Sequence, residues 1–214
     1  MSKAQRNGKR TPRGQQISRR EPELGYYFIV TDTKETEKNY MNGLRDSIPE
    51  ELRGKLVIKV VKTETKSLVT EALNMASVHP QFGEPWIIFD RDQVQNFDDI
   101  IKEAEANGIR VGWANPCIEA WFHAYFGSMP TYRDSVDCCN TFSKEYQKKT
   151  GQDYKKSNDK IYEKLLKFGK EDIAIGIAEQ KLAQHQKNCK ALPSEMSPCT
   201  TIHILVKEIK SKIK

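Results

Sequence analysis

The chain has 214 residues, 35 Lys+Arg against 29 Asp+Glu, a formal net charge of +6, and 37% hydrophobic residues. That length and apolar content suit one α/β domain with additions and exclude wholesale disorder. No apolar run reaches the length of a membrane span, and the basic N-terminus lacks the apolar stretch of a secretory signal. Five cysteines (Cys117, Cys138, Cys139, Cys189 and Cys199) include no Cys-x-x-Cys pair, so neither a disulfide scaffold nor a structural zinc site is expected. A cytoplasmic, thiol-reduced protein is the expectation.

The charge is uneven. Residues 1–20 hold Lys3, Arg6, Lys9, Arg10, Arg13, Arg19 and Arg20 and no acid, so this segment carries +7 and the rest of the chain sums to −1. With so few apolar side chains, residues 1–24 read as a disordered basic arm. Such arms contact phosphates with salt-sensitive, sequence-independent affinity; the alternative is a solubilising leader.

The folded part is expected to begin at Gly25. Tyr26–Val30 is a short apolar run of β-formers and predicts a buried strand. Glu35–Leu44 follows as a helix with Tyr40, Met41 and Leu44 at helical spacing. Lys55–Val61 predicts a second strand, and Ser67 can cap a helix running to Val78. Pro85–Phe89 is a third strand that ends sharply at Asp90. Asn96 opens the next helix, Asn107-Gly108 closes it, and Ile109–Trp113 is a fourth strand. This alternation predicts an α/β core, a mostly parallel four-stranded sheet flanked by helices. After Ile118 no further strand is legible. An aromatic helix (Ile118–Phe126), a polar stretch (Ser143–Lys160) and helices near 161–168, 172–186 and 201–213 complete the chain. The core is assigned to residues 25–127 and a helical extension packed on it to 128–214.

Ligands of parallel sheets gather at the carboxyl ends of the strands, which is where the acids fall. Asp32, Glu35 and Glu37 follow strand one, Asp90-Arg91-Asp92 follows strand three, and Glu119 follows strand four. Two carboxylates one residue apart after a buried strand repel each other and call for a cation, and hard Mg²⁺ prefers oxygen ligands; the alternative is a solvated turn. His79, His123, His185 and His203 are isolated, without the i, i+4 spacing of a helical zinc site. His123 lies one turn after Glu119 but reads better as a structural histidine. Cys117 has no identifiable partner base. No P-loop or Gly-x-Gly-x-x-Gly pattern is present, which argues against nucleotide hydrolysis.

The strand YYFIV, the segment TDTKETEKNY, WIIFDRD, NPCIEAWFHAYF and SPCTTIHILVKEI, in that order, resemble the RloB-like family over residues 25–210. That resemblance implies a Toprim-like fold, the metal-dependent domain of topoisomerases, primases and overcoming-lysogenization-defect nucleases. It also implies a setting in bacterial restriction or abortive-infection loci, with an AAA-type ATPase as partner. Carried onto this chain, it makes Asp90 and Asp92 the Asp-x-Asp metal ligands and sets Asp32-Thr33 where Glu-Gly is usual. Thr36-Glu37 falls on the family's Thr-Glu pair and Glu119 on the glutamate of its Asn-Pro-x-x-Glu-x-Trp segment. The implied site is therefore Asp32, Glu37, Asp90, Asp92 and Glu119, with Asp32, Asp90, Asp92 and Glu119 as ligands of Mg²⁺ or Mn²⁺. Its expected activity is phosphodiester cleavage of DNA, transfer RNA or another RNA in anti-phage defence. The alternatives are a degenerate subunit that binds an ATPase or nucleic acid without cutting, and a primase-like nucleotidyl transferase.

Overall fold

The computed structural model describes residues 22–32, 35–78, 83–92 and 94–214. The arm up to residue 21, His79, and Thr33 of the Asp32-Thr33 pair lie outside the described residues. Five strands form one sheet in the order β2-β1-β3-β4-β5: β1 (Gly25–Thr31), β2 (Leu56–Lys62), β3 (Gly83–Asp90), β4 (Arg110–Asn115) and β5 (Cys199–Thr200). The first four are parallel, and β5 runs antiparallel to β4, pairing Cys199 with Asn115 and Thr200 with Ala114. The expected four-stranded sheet is thus corrected to a five-stranded mixed one. A two-residue strand has no periodicity to read; its partner makes it a strand.

The central strands are apolar throughout because both faces are covered. Tyr27, Ile29, Trp86 and Ile88 point into one core, while Phe28, Val30, Ile87 and Phe89 point into the other. The second core is closed by α2 (Leu68–Val78) and α3 (Phe97–Ala106). The first is closed by α1 (Glu35–Asp46), α4 (Glu119–Tyr125), α5 (Ser135–Thr150), α6 (Ile161–Phe168), α7 (Glu171–Lys187) and α8 (Ile202–Lys212). The helices after residue 127 contribute to this first core: Ile202, Leu205, Val206 and Ile209 of α8 are fully buried. The polar stretch expected over Ser143–Lys160 is corrected as well, since α5 runs through its first half. Asp134 caps α5 by accepting the Asp137 N–H at 2.8 Å, and Cys138, Phe142 and Tyr146, four residues apart, form its buried stripe.

Two buried histidines give this fold a pH signature. His203 Nδ1 donates to the Thr200 carbonyl at 2.9 Å, and His123 Nδ1 lies 2.9 Å from the Tyr132 hydroxyl. Desolvation lowers the pKa of both below the ordinary histidine value. The unfolded chain therefore takes up protons first as pH falls, so this part of the stability is complete above about pH 6.5 and declines below it. Urea unfolding is expected to show a lower midpoint at pH 5.5 than at pH 7.5, with a smaller difference when both histidines are replaced by Gln.

Candidate metal centre at the carboxyl edge of the sheet

The chain leaves β1 toward α1 on one face of the sheet and leaves β3 toward α3 on the other: Tyr40, Met41 and Leu44 of α1 belong to one core, and Phe97, Ile100 and Ile101 of α3 to the opposite one. The neighbouring carboxyl ends of β1 and β3 are therefore a topological switch point, the place where ligands of open parallel sheets generally bind. Asp32 and Asp90 stand on its two sides. The Asp32 N–H reaches the Ile88 carbonyl at 3.4 Å, so Asp32 extends the β1–β3 ladder, and Asp90 is the last residue of β3.

Four of the five expected site acids are almost wholly enclosed: Glu37 is 0%, Glu119 1%, Asp90 2% and Asp32 3% exposed. Charged carboxylates are rarely buried without compensation, so this enclosure separates them from ordinary turn acids. Glu37 sits on the inner face of the first turn of α1 beside Thr36, whose hydroxyl donates to the Lys156 carbonyl at 3.2 Å. Glu35, two residues earlier, faces out and pairs with Lys62, which lowers its pKa. Of the two acids in that turn, the structure encloses Glu37.

Asp92 is partly exposed and adopts φ +30°, a left-handed conformation that Asp tolerates better than most residues. Its N–H donates to the Pro116 carbonyl at 2.9 Å, and its carboxylate accepts the Ser135 hydroxyl at 2.6 Å. The Asp-x-Asp turn is thereby tied to the β4–α4 loop and to the start of α5. On the far side, the Asn115 amide donates to the Pro193 and Ser194 carbonyls at 3.0 Å, while Asp98 accepts both the backbone N–H and hydroxyl of Ser194. These bonds strap the loop before β5 against the end of β4.

Glu119 has different surroundings. Its Oε1 accepts from the Tyr154 hydroxyl at 2.9 Å and lies 3.4 Å from Lys156 Nζ. Burial would lower the Lys156 pKa, but the adjacent Glu119 carboxylate and cysteines raise it overall. His123 turns to Tyr132 rather than to Glu119, consistent with a structural histidine. Cys117 and Cys139 lie beside Glu119 with thiols whose pKa values are pushed up, mainly by hydrogen bonding among the cysteines and by burial. That opposes a nucleophilic role for Cys117.

Among the described residues, Cys117, Glu119 and Cys139 are the group of three potential ligand atoms that lie within 4.8 Å of one another. That group includes none of Asp32, Glu37, Asp90 and Asp92. These oxygen donors still suit Mg²⁺, which is commonly held by one or two carboxylates and completes its shell with water and substrate oxygens. Sequence reading missed Ser135, Tyr154 and Lys156, which come from α5 and the loop after it. Only the fold brings them to this edge.

Residues 27–209 match the family model described as RloB-like protein. No curated protein and no solved structure matches the chain.

Proposed function

Since the chain belongs to the RloB-like family, we propose that it is a metal-dependent nuclease of anti-phage defence, cleaving phosphodiester bonds at the β1–β3 switch point. The observation that supports this reading is the burial of Asp32 and Asp90 at the carboxyl ends of β1 and β3 and of Glu37 in the first turn of α1, with the Asp92 turn tied to Ser135.

In this proposal Asp90, Asp92 and Asp32 hold Mg²⁺ or Mn²⁺, which when bound polarises a phosphoryl oxygen and lowers the pKa of a coordinated water. Glu37 takes or returns a proton at the reacting water. Ser135 fixes the orientation of Asp92 through its hydroxyl. Glu119 closes the wall of the site, holding Tyr154 and Lys156, and Lys156 offers a cation toward an incoming phosphate. Asp32, in place of the usual glutamate, stands at the switch point because its backbone continues the ladder with β3. The basic arm gathers the polyanion, and an AAA-type ATPase partner controls access in the cell.

The experiment is incubation of the full chain with labelled plasmid DNA and total transfer RNA, with Mg²⁺ or Mn²⁺ and with EDTA. Metal-dependent cutting supports the nuclease and identifies its substrate class; cutting that persists in EDTA contradicts it. Deleting residues 1–20 is expected to weaken nucleic-acid binding and to flatten the slope of log K against log salt by up to about 6, the limit if all seven cations contact phosphate. Filter binding across a salt series checks this, and an unchanged slope removes the arm from the binding surface.

A further inference from the structure

The fold assembles a second donor set that the sequence, lacking Cys-x-x-Cys, does not advertise. Cys117 leaves the β4–α4 loop, Cys139 comes from the second turn of α5, and Glu119 opens α4 between them. The two sulfurs are 3.9 Å apart. Zinc–sulfur bonds of about 2.3 Å in a tetrahedral site place two thiolate sulfurs about 3.8 Å apart, so the thiols already stand at the spacing of a ligand pair. A Glu119 carboxylate oxygen lies within 4.8 Å of both sulfurs. Glu119 is 1% exposed, and its Oε2 makes no hydrogen bond among the described residues. A buried carboxylate oxygen without a donor is costly, and a cation held by this carboxylate would offset that cost. Cys139 is partly exposed, which leaves an approach from solvent.

We propose that Cys117, Cys139 and Glu119 form a site for a thiophilic divalent cation such as Zn²⁺, distinct from the oxygen-donor centre at the switch point. Binding releases the two thiol protons to solvent and leaves two thiolates and one carboxylate around the ion. Three negative charges, one dication and the neighbouring Lys156 ammonium sum to zero, so the enclosed group is electrically balanced. Three protein ligands leave one tetrahedral position for water or for a neighbouring side chain; Cys138, fully buried and interacting with Cys117, is a further sulfur donor. The consequence is mechanical. Ser135 accepts the Cys117 thiol on its carbonyl and donates its hydroxyl to Asp92. An ion joining Cys117 to Cys139 would staple the β4–α4 loop to α5, and with them the Asp-x-Asp turn.

The test is titration of the reduced full chain with Co²⁺, whose tetrahedral thiolate complexes absorb in the visible and near ultraviolet. The expected result is one equivalent of Co²⁺ giving thiolate charge-transfer and d–d bands that Zn²⁺ abolishes. Cys117→Ser and Cys139→Ser should each lose the bands, whereas Cys189→Ser, at an exposed position outside the group, should keep them. Zn²⁺ should raise the melting temperature of the native chain, as any ligand specific to the folded state does, and leave that of Cys139→Ser unchanged. Circular dichroism of each variant separates loss of ligand from loss of fold, and the partly exposed Cys139 provides the variant least disturbing to packing. Absence of the bands in the native chain, or their persistence in the Cys117→Ser/Cys139→Ser double variant, overturns the site. None of these readouts involves nucleic-acid cleavage, so the result stands or falls apart from the nuclease reading.

Discussion

Asp90→Asn is expected to lower the rate of metal-dependent cleavage by about three orders of magnitude while changing nucleic-acid binding only slightly. A metal held at the reacting phosphate contributes several kcal/mol of transition-state stabilisation, and each ~1.4 kcal/mol is tenfold in rate. Asn has nearly the volume of Asp, so the fully packed end of β3 keeps its shape and only the charge is lost. Binding should survive because, in the proposed reading, the basic arm gathers the polyanion. Single-turnover rates and filter binding on the same preparation separate the two effects. Glu35→Gln is the internal control: this side chain lies at the surface against Lys62, and its loss should leave the rate within about twofold, as expected for an exposed ion pair of little energetic weight. A large loss with Glu35→Gln and a small one with Asp90→Asn would reverse the assignment of the metal side chains.

The second large effect concerns the platform. Phe142 of α5 is fully buried, with ring centroids 4.8 Å from Tyr154, 5.7 Å from Tyr146, 5.8 Å from Phe122 and 6.0 Å from Phe126. It is the common member of an aromatic cluster that joins α4, α5 and the loop after α5. Phe142→Ala should destabilise the fold by about 3–5 kcal/mol, the usual cost of removing a buried ring and leaving its cavity. Denaturant unfolding measures it directly. Because α5 also carries Ser135 and Cys139, and Tyr154 holds Glu119, the loss should loosen the Asp92 turn in addition to lowering stability. Phe142→Leu, which keeps most of the volume, should recover more than half of the loss. A cost below about 1 kcal/mol for the alanine variant would mean that α5 is not anchored through this ring.

The first four strands and most of the helices are legible in the sequence because each carries a pattern that one element alone can express. YYFIV and WIIF are continuous apolar runs, which fit strands covered on both faces, and the Asn107-Gly108 helix ending reflects the φ of +71° at Gly108. Strand β5 is not legible, since Cys199 and Thr200 become a strand only by pairing with Asn115 and Ala114. Helix α5 is obscured by its polar surface: its buried stripe of Cys138, Phe142 and Tyr146 is spaced for a helix but is diluted among thirteen other residues. The acids of the switch point are visible as residues following strands. Their enclosure is not, because it depends on which helix covers which face. Ser135 against Asp92, Tyr154 against Glu119, and Cys117 against Cys139 are separated by 43, 35 and 22 positions. No local spacing encodes such pairs.

The measurement that bears most directly on the proposed metal centre is Mn²⁺ binding to the full chain, read from the free-ion electron paramagnetic resonance signal without nucleic acid. Mn²⁺ prefers oxygen donors and so reports the carboxylate site rather than the thiol pair. The expected result is saturable binding in the native chain that Mg²⁺ competes away, unchanged in Cys117→Ser and lost in Asp90→Asn/Asp92→Asn. The same isotherm in the native chain and the double Asp variant would contradict a metal centre at Asp90 and Asp92.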